Sequence, residues 1–347
     1  MPNPFTLAEL GWAPDFLRQV ELDELATFIP CRIAAVHRSR VEAFSEQGAL
    51  TLIPPAGLST GEIAVGDWAL SDGTTLLRLL NRRTCLARRA AGTGAARQLI
   101  AANIDTLFVV TSCNADFNPA RLERYLALAK GAGVEPVILL TKADSVADLG
   151  LWSERAEAVD RRVAVRLLDA RAPDPERTLG DWCQPGQTVA LAGSSGVGKT
   201  TLANALTDAA QATAPIREDD ARGRHTTTWR HLTPVRGGGW LIDTPGMREL
   251  RLTDAEEGIA AVFDDLAQLA RDCRFSDCTH RTEPGCAVQV AVGDGRLEPS
   301  RLARWQKLKR EDRHNSETLA EAHTRARAFG RMARAVMRDK SRRRANY

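Results

Sequence analysis

The sequence predicts a multidomain α/β chain: an N-terminal segment with a β-barrel over residues 1–95, a central nucleotide-binding α/β domain over 96–255, and a C-terminal, mainly helical metal-binding module over 256–347. Three observations predict it. Short apolar stretches between Cys31 and Asn81 alternate with Pro- and Gly-marked turns. From Thr106 to Ile242, strand-like and helix-like runs alternate around a glycine-rich loop. Four candidate metal ligands then fall between Cys273 and Cys286.

The barrel is read from Arg32–His37, Ala49–Ile53, Asp67–Leu70 and Leu76–Leu80, punctuated by Pro54-Pro55, Gly57, Gly61 and Asp72-Gly73. Short strands separated by such turns indicate a small antiparallel barrel of OB type. That architecture commonly binds oligonucleotides, although a fold alone does not establish binding. Arg82, Arg83, Arg88, Arg89 and Arg97 follow with few acids between them. They read either as a nucleic-acid surface or as a solvated basic linker.

In the central domain, Thr106–Val110 predicts a strand, Pro119–Lys130 a helix, Val137–Leu140 a strand, Leu151–Val159 a helix and Val163–Leu168 a strand. Thr141, Lys142, Ala143 and Asp144 follow the second strand and form a candidate base-reading tetrapeptide. A carboxylate at Asp144 can accept from the N1–H and N2 amino groups of guanine, a donor pair that adenine lacks, so it favours GTP over ATP. The usual first residue of this motif is Asn, so Thr141 is a departure, as is Asp169 where Ser commonly precedes Ala170.

Gly193, Ser194, Ser195, Gly196, Val197, Gly198, Lys199 and Thr200 form a Gly-x4-Gly-Lys-Thr loop, with Thr201 after it, between the apolar run Thr188–Leu191 and a helical pattern carrying Leu202, Ala205 and Leu206. Glycines let backbone N–H groups approach phosphates, and the helix start favours an anion. Lys199 is expected to reach the β- and γ-phosphates and the Thr200 hydroxyl to ligate Mg²⁺. Asp243-Thr244-Pro245-Gly246 ends the strand Trp240–Ile242. It resembles the GTPase motif whose Asp holds Mg²⁺ through water and whose Gly senses the γ-phosphate. Between the two, Gly223–Thr228 is the expected first switch, with one of Thr226, Thr227 and Thr228 sensing Mg²⁺.

The phosphate loop comes after the base-reading stretch, whereas ordinary GTPases carry them in the opposite order. The central domain therefore reads as a circularly permuted P-loop GTPase domain. Sheet contacts do not depend on where a chain begins, so permutation can preserve a doubly wound fold. It also leads the segment after Asp243 directly into the C-terminal module.

Cys273, Cys278, His280 and Cys286 have the spacing Cys-x4-Cys-x-His-x5-Cys. Three thiolates and an imidazole suit one closed, tetrahedral, structural Zn²⁺. Cys31, Cys85, Cys113 and Cys183 are scattered and read as small core residues. A helix is predicted from Pro299 to about Arg313, with Leu302, Trp305 and Leu308 as its apolar stripe, continuing from Leu319 to Met337 and ending in Lys340–Arg344.

The 347-residue chain has a net charge of only +3, but residues 301–347 hold fifteen Lys/Arg against five Asp/Glu, leaving the rest acidic. Such a basic end fits nucleic acid, bound largely by counterion release, or a solvated, frayed helix. No apolar stretch has the length of a membrane helix and no secretory leader is evident, so a cytoplasmic protein with no membrane partner is expected; a monomer is expected too, although the sequence does not fix the oligomeric state.

The sequence is similar to the RsgA (YjeQ) family of bacterial small-ribosomal-subunit biogenesis GTPases. The similarity covers nearly the whole chain, including Thr111–Asn118, the Gly-Arg-His-Thr-Thr-Thr stretch and the cysteine cluster. It implies an OB-fold, a permuted GTPase domain, a zinc-binding module and binding to the small subunit during late maturation. GTP would be hydrolysed to GDP and phosphate, with Mg²⁺ accompanying the nucleotide.

Met247 stands where a Ras-like GTPase places its water-orienting Gln, so another group must do that work. His225 in the switch is the candidate, hydrolysis being slow alone and fast on the subunit. A structural or RNA-contacting histidine is the other reading. A nucleotide-gated RNA-binding protein with incidental hydrolysis is the alternative function, and an ATPase is disfavoured by Asp144.

Overall fold

The computed structural model describes residues 5–89, 97–171, 175–207, 230–243 and 255–316. Two short helices, α1 (Pro14–Leu17) and α2 (Leu22–Thr27), precede β1 (Ile29–Val36), β2 (Val41–Ser45), β3 (Gly48–Leu52), β4 (Trp68–Ser71) and β5 (Leu76–Leu79). These strands form an antiparallel sheet in the order β3-β2-β1-β4-β5. Its outer strands are joined by a parallel bridge between Ile53 and Thr75, so the sheet curls around Cys31, Ile33, Val41, Ala43, Leu52, Ala69 and Leu76. Alternation makes that interior: β2 buries every second residue. The expected first strand starts three residues early, at Ile29, because the chain remains paired through Pro30. β2 was not expected at all: Glu42 and Ser45 dilute its short apolar pattern.

Beyond the barrel, β6 (Cys85–Arg89) and β7 (Arg97–Ala102) make a separate two-stranded hairpin where the sequence shows only a cluster of arginines. The main sheet is built by β8 (Thr106–Ser112), α3 (Pro119–Gly131), β9 (Glu135–Thr141), α4 (Leu149–Glu157), β10 (Ala164–Leu167), α5 (Pro175–Leu179), β11 (Thr188–Gly193), α6 (Lys199–Leu206), β12 (His231–Pro234) and β13 (Trp240–Asp243). Its order is β10-β9-β8-β11-β13-β12, parallel except where β12 runs antiparallel to β13. Every residue of β8 and β11 is buried, as expected of strands covered on both faces. α4 begins two residues before the expected Leu151 because the Asp148 side chain caps it, accepting from Leu151 N at 3.0 Å.

The last four described helices are α7 (Glu256–Val262), α8 (Asp264–Arg271), α9 (Ala287–Gly293) and α10 (Pro299–Ser316). α10 buries the expected Leu302, Trp305 and Leu308, together with Asp312 and Asn315. α3 and α7 cross closely: a Cβ on Gly258 would lie 1.9 Å from the Ala127 carbonyl oxygen, which no side chain permits. Charged groups fix α10 to α3, with Arg304 Nε donating to buried Glu123 Oε2 at 2.7 Å and Arg124 paired to Glu311.

One buried arginine joins the parts. Arg32 of β1 donates from Nη1 to the Leu10 carbonyl at 2.6 Å and from Nη2 to Thr188 Oγ1 at 2.7 Å and the Asn103 carbonyl at 3.2 Å. Burial pushes its pKa down to about 10, with Asp105 acting in the opposite direction. Trp240 Nε1 donates to the Glu9 carbonyl, and its ring lies 5.4 Å from Phe44 of β2. The barrel is thereby seated on the main sheet. Among the described residues no helix is long and apolar enough to cross a membrane. His225, Thr226, Thr227, Thr228, Gly246, Met247 and the helix expected over 319–337 lie outside the described residues.

Candidate nucleotide and metal sites

The chain turns from β11 into α6 through the glycine-rich loop. Gly193, Gly196 and Gly198 have φ of 144°, 75° and 96°, the left-handed region that favours glycine. At Gly193 a Cβ would also lie 2.2 Å from the Val110 carbonyl oxygen, so only glycine lets the loop leave β11 against β8. Ser195, Gly196 and Thr200 are exposed, Ser194, Gly198, Lys199 and Thr201 are half-buried, and Val197 is buried beneath the loop. Lys199 Nζ folds back to donate to the Gly193 carbonyl at 2.7 Å and to the Ser194 carbonyl.

β9 delivers the second motif to the same edge of the sheet. Lys142 takes φ of 58°, turning the chain sharply, and Ala143 and Asp144 enter a short 3₁₀ turn with the Asp144 carboxylate exposed. Thr141 does something the sequence did not disclose. Its side chain is buried, and Oγ1 lies 2.6 Å from the Val197 carbonyl and 3.1 Å from the Thr111 carbonyl. A hydroxyl has one proton, and the nearer Val197 oxygen receives it. Thr141 thus ties the end of β9 to the glycine-rich loop. Asp243 ends β13, next to β11, and is half-buried at the same carboxyl edge. Ligands of open α/β sheets bind outside the carboxyl ends of the strands.

A further side chain at this edge carried no sequence signal. Arg121 of α3 donates from Nη1 to Ser194 Oγ and, at 3.1 Å, to Asp116 Oδ1.

In the C-terminal module, the segment between α8 and α9 gathers Cys273, Cys278, His280 and Cys286, whose ligand atoms all lie within 4.8 Å of one another. His280 Nδ1 is 3.5 Å from the sulfurs of Cys273 and Cys286, and those sulfurs are 3.8 Å apart. Ligands about 2.3 Å (S) and 2.1 Å (N) from a tetrahedral ion would be separated by roughly 3.6–3.8 Å, so the cluster could hold a metal ion of zinc's size. Burial, with Lys309 nearby, lowers the His280 pKa and favours the neutral imidazole that a metal requires. The ring packs 5.3 Å from Trp305 of α10, and the His280 carbonyl accepts from Gln289 Nε2 at 2.6 Å. Of the other cysteines, Cys31, Cys113 and Cys183 are buried and Cys85 is half-buried. Burial pushes the Cys31 and Cys183 thiols up to about 12, as inert core positions require.

Fold and site together define a P-loop nucleotide-binding domain whose glycine-rich loop follows Thr141–Asp144 in the chain. Residues 79–253 match the RsgA GTPase family. The small ribosomal subunit biogenesis GTPase RsgA of Mesorhizobium japonicum is 54% identical over 319 residues, 90% of this chain and 91% of that protein. The small ribosomal subunit biogenesis GTPase RsgA 2 of Vibrio parahaemolyticus is 46% identical over 99% of this chain and 96% of its own. Crystal structures of YjeQ from Thermotoga maritima and of YloQ, a circularly permuted GTPase, share the fold. Their TM-scores are 0.60 and 0.59 at 24% identity, over 81% and 84% of this chain and 97% and 96% of theirs. The chain belongs to the RsgA GTPase family, and it is a GTP hydrolase.

Proposed function

We propose that this GTPase is a late assembly checkpoint for the small ribosomal subunit, binding rRNA and hydrolysing GTP faster when the subunit is bound. The observation that supports the nucleotide half is the Thr141–Val197 hydrogen bond, which links the two segments read as base-reading and phosphate-cradling despite their exchanged order. Residues 193–201 hold the phosphates, Thr141–Asp144 present the guanine acceptor, and Gly246 senses the γ-phosphate. Lys199 offsets the charge that builds on the phosphates during transfer to water. Thr200 and Asp243 would hold Mg²⁺, which would supply positive charge against the phosphates. His225 orients the attacking water. Its substitution by Ala removes subunit-stimulated turnover while GTP binding persists; surviving stimulation eliminates that role.

The subunit half rests on the relatives' names, the curled five-stranded sheet and the basic C-terminal end. The barrel is of OB type and the Cys273–Cys286 cluster holds one structural Zn²⁺. Together with the basic tail they form the rRNA-binding surface of a cytoplasmic monomer. GTP favours the bound state and hydrolysis favours release. Co-sedimentation with purified small subunits tests this: a non-hydrolysable GTP analogue retains the protein and GDP releases it. Equal retention with both, and no stimulation of turnover, would instead support a nucleotide-gated RNA-binding protein with incidental hydrolysis.

A further inference from the structure

Arg121 occupies an unfavourable place for a cation. It lies in the first turn of α3, capped by Asn118 and started by Pro119, with no acidic residue in that turn. The positive end of the helix dipole opposes a guanidinium there. Nothing in the packing of α3 requires it, since the helix buries Leu122, Tyr125 and Leu126 instead.

What the arginine does is reach the phosphate loop. Nη1 donates to Ser194 Oγ and to Asp116 Oδ1. Asp116 belongs to a turn that is itself fixed at the end of β8: its backbone N–H donates to Asn114 Oδ1 at 2.9 Å, and Ser112 Oγ donates to the same oxygen at 2.9 Å. A hydrogen-bonded chain therefore runs from Ser112 through Asn114, Asp116 and Arg121 to Ser194. It meets the loop at Ser194, the first residue after β11 ends at Gly193. Thr141 secures the opposite end of the loop at Val197.

We propose that Arg121 is a positioning residue for the phosphate-binding loop, holding Ser194 so that the Gly193–Gly196 turn is set for a nucleotide before one arrives. The guanidinium is already engaged by Asp116 and Ser194, so the role assigned to the arginine is through loop geometry rather than by adding charge at the γ-phosphate. GDP and GTP therefore gain equally from it. The inference rests on the reading of residues 193–200 as the phosphate cradle.

The test uses the full-length protein and its Arg121→Ala, Ser194→Ala, Ser194→Thr and doubly substituted (R121A/S194A) forms. Affinities for GDP and a non-hydrolysable GTP analogue are measured by fluorescence titration, alongside KM, kcat and the melting temperature without nucleotide. Arg121→Ala and Ser194→Ala each weaken both nucleotides by the same factor, about tenfold, and the double variant loses no more than either alone. Ser194→Thr, which keeps the hydroxyl, retains affinity. The loss appears in KM, and the nucleotide-free melting temperature does not move. Unchanged affinity, additive losses, a loss confined to the GTP analogue or to kcat, or a matching fall in nucleotide-free stability would each overturn the assignment. Lys199→Ala separates the two readings: if GDP still binds that variant normally, the cradle itself is misplaced and this inference falls with it. If Lys199→Ala abolishes binding while Arg121→Ala is harmless, only the role of Arg121 fails.

Discussion

Thr141 and Asp144 stand three residues apart and face different tasks, a distinction only the side-chain geometry supplies. The carboxylate is exposed at the loop, whereas the hydroxyl is buried against the Val197 carbonyl. Asp144→Asn replaces the acceptor that matches guanine's two donors, so GTP affinity falls by about two orders of magnitude while xanthine nucleotides, which carry a carbonyl in place of the N2 amine, gain. Thr141→Val leaves the Val197 carbonyl without its side-chain donor. It weakens guanine and xanthine nucleotides by one common factor, roughly tenfold, and leaves their ratio unchanged. Competition titrations with both nucleotide pairs check the two outcomes together. The guanine-acceptor role proposed for the carboxylate was legible in the sequence because its chemistry depends on residue type. The threonine's was not, because a hydroxyl's partner 56 positions away in the chain leaves no local pattern.

At the scale of elements, periodicity and turn chemistry located the buried strands and α10, where long apolar runs or a clear stripe leave little ambiguity. They missed β2, β12 and the β6–β7 hairpin, whose short strands mix polar and apolar residues and acquire their identity from pairing partners. The charged contacts between helices were equally hidden. Asp160 receives Lys130 Nζ at 2.5 Å and Arg162 Nε at 3.0 Å, tying α3 to the turn before β10. Burial raises its pKa, but Arg162 and Lys130 outweigh that and hold it below the usual 3.8. A carboxyl whose folded pKa is depressed contributes stability above its unfolded value and loses it as pH falls through the folded one. Urea unfolding midpoints should therefore drop more steeply with acidification from about pH 4 downward in the parent protein than in Asp160→Asn, which already lacks that contribution at neutral pH.

For the whole molecule, the order of motifs was readable because permutation rearranges sequence without disturbing the sheet: β11 still lies between β8 and β13. How the barrel sits on that sheet was not, because it depends on long-range contacts of residues with no motif around them. Arg32 bonds groups in the N-terminal segment, the connection after β7 and the start of β11, and its Nε has no hydrogen-bond partner among the described residues. Arg32→Ala leaves two carbonyls and a hydroxyl unpaired in a buried space and should destabilise the protein by about 3 kcal/mol in denaturant unfolding. A change within about 0.5 kcal/mol would mean that the joint is held by the Phe44–Trp240 packing instead.

We propose that the small ribosomal subunit controls guanine nucleotide hydrolysis at one permuted site. Phosphate release from GTP and from ATP, each with and without purified small subunits, tests it most directly. Strong stimulation confined to GTP is the expected result. Turnover that subunits leave unchanged would contradict the checkpoint, and equal use of ATP would contradict the assignment of Asp144 to guanine.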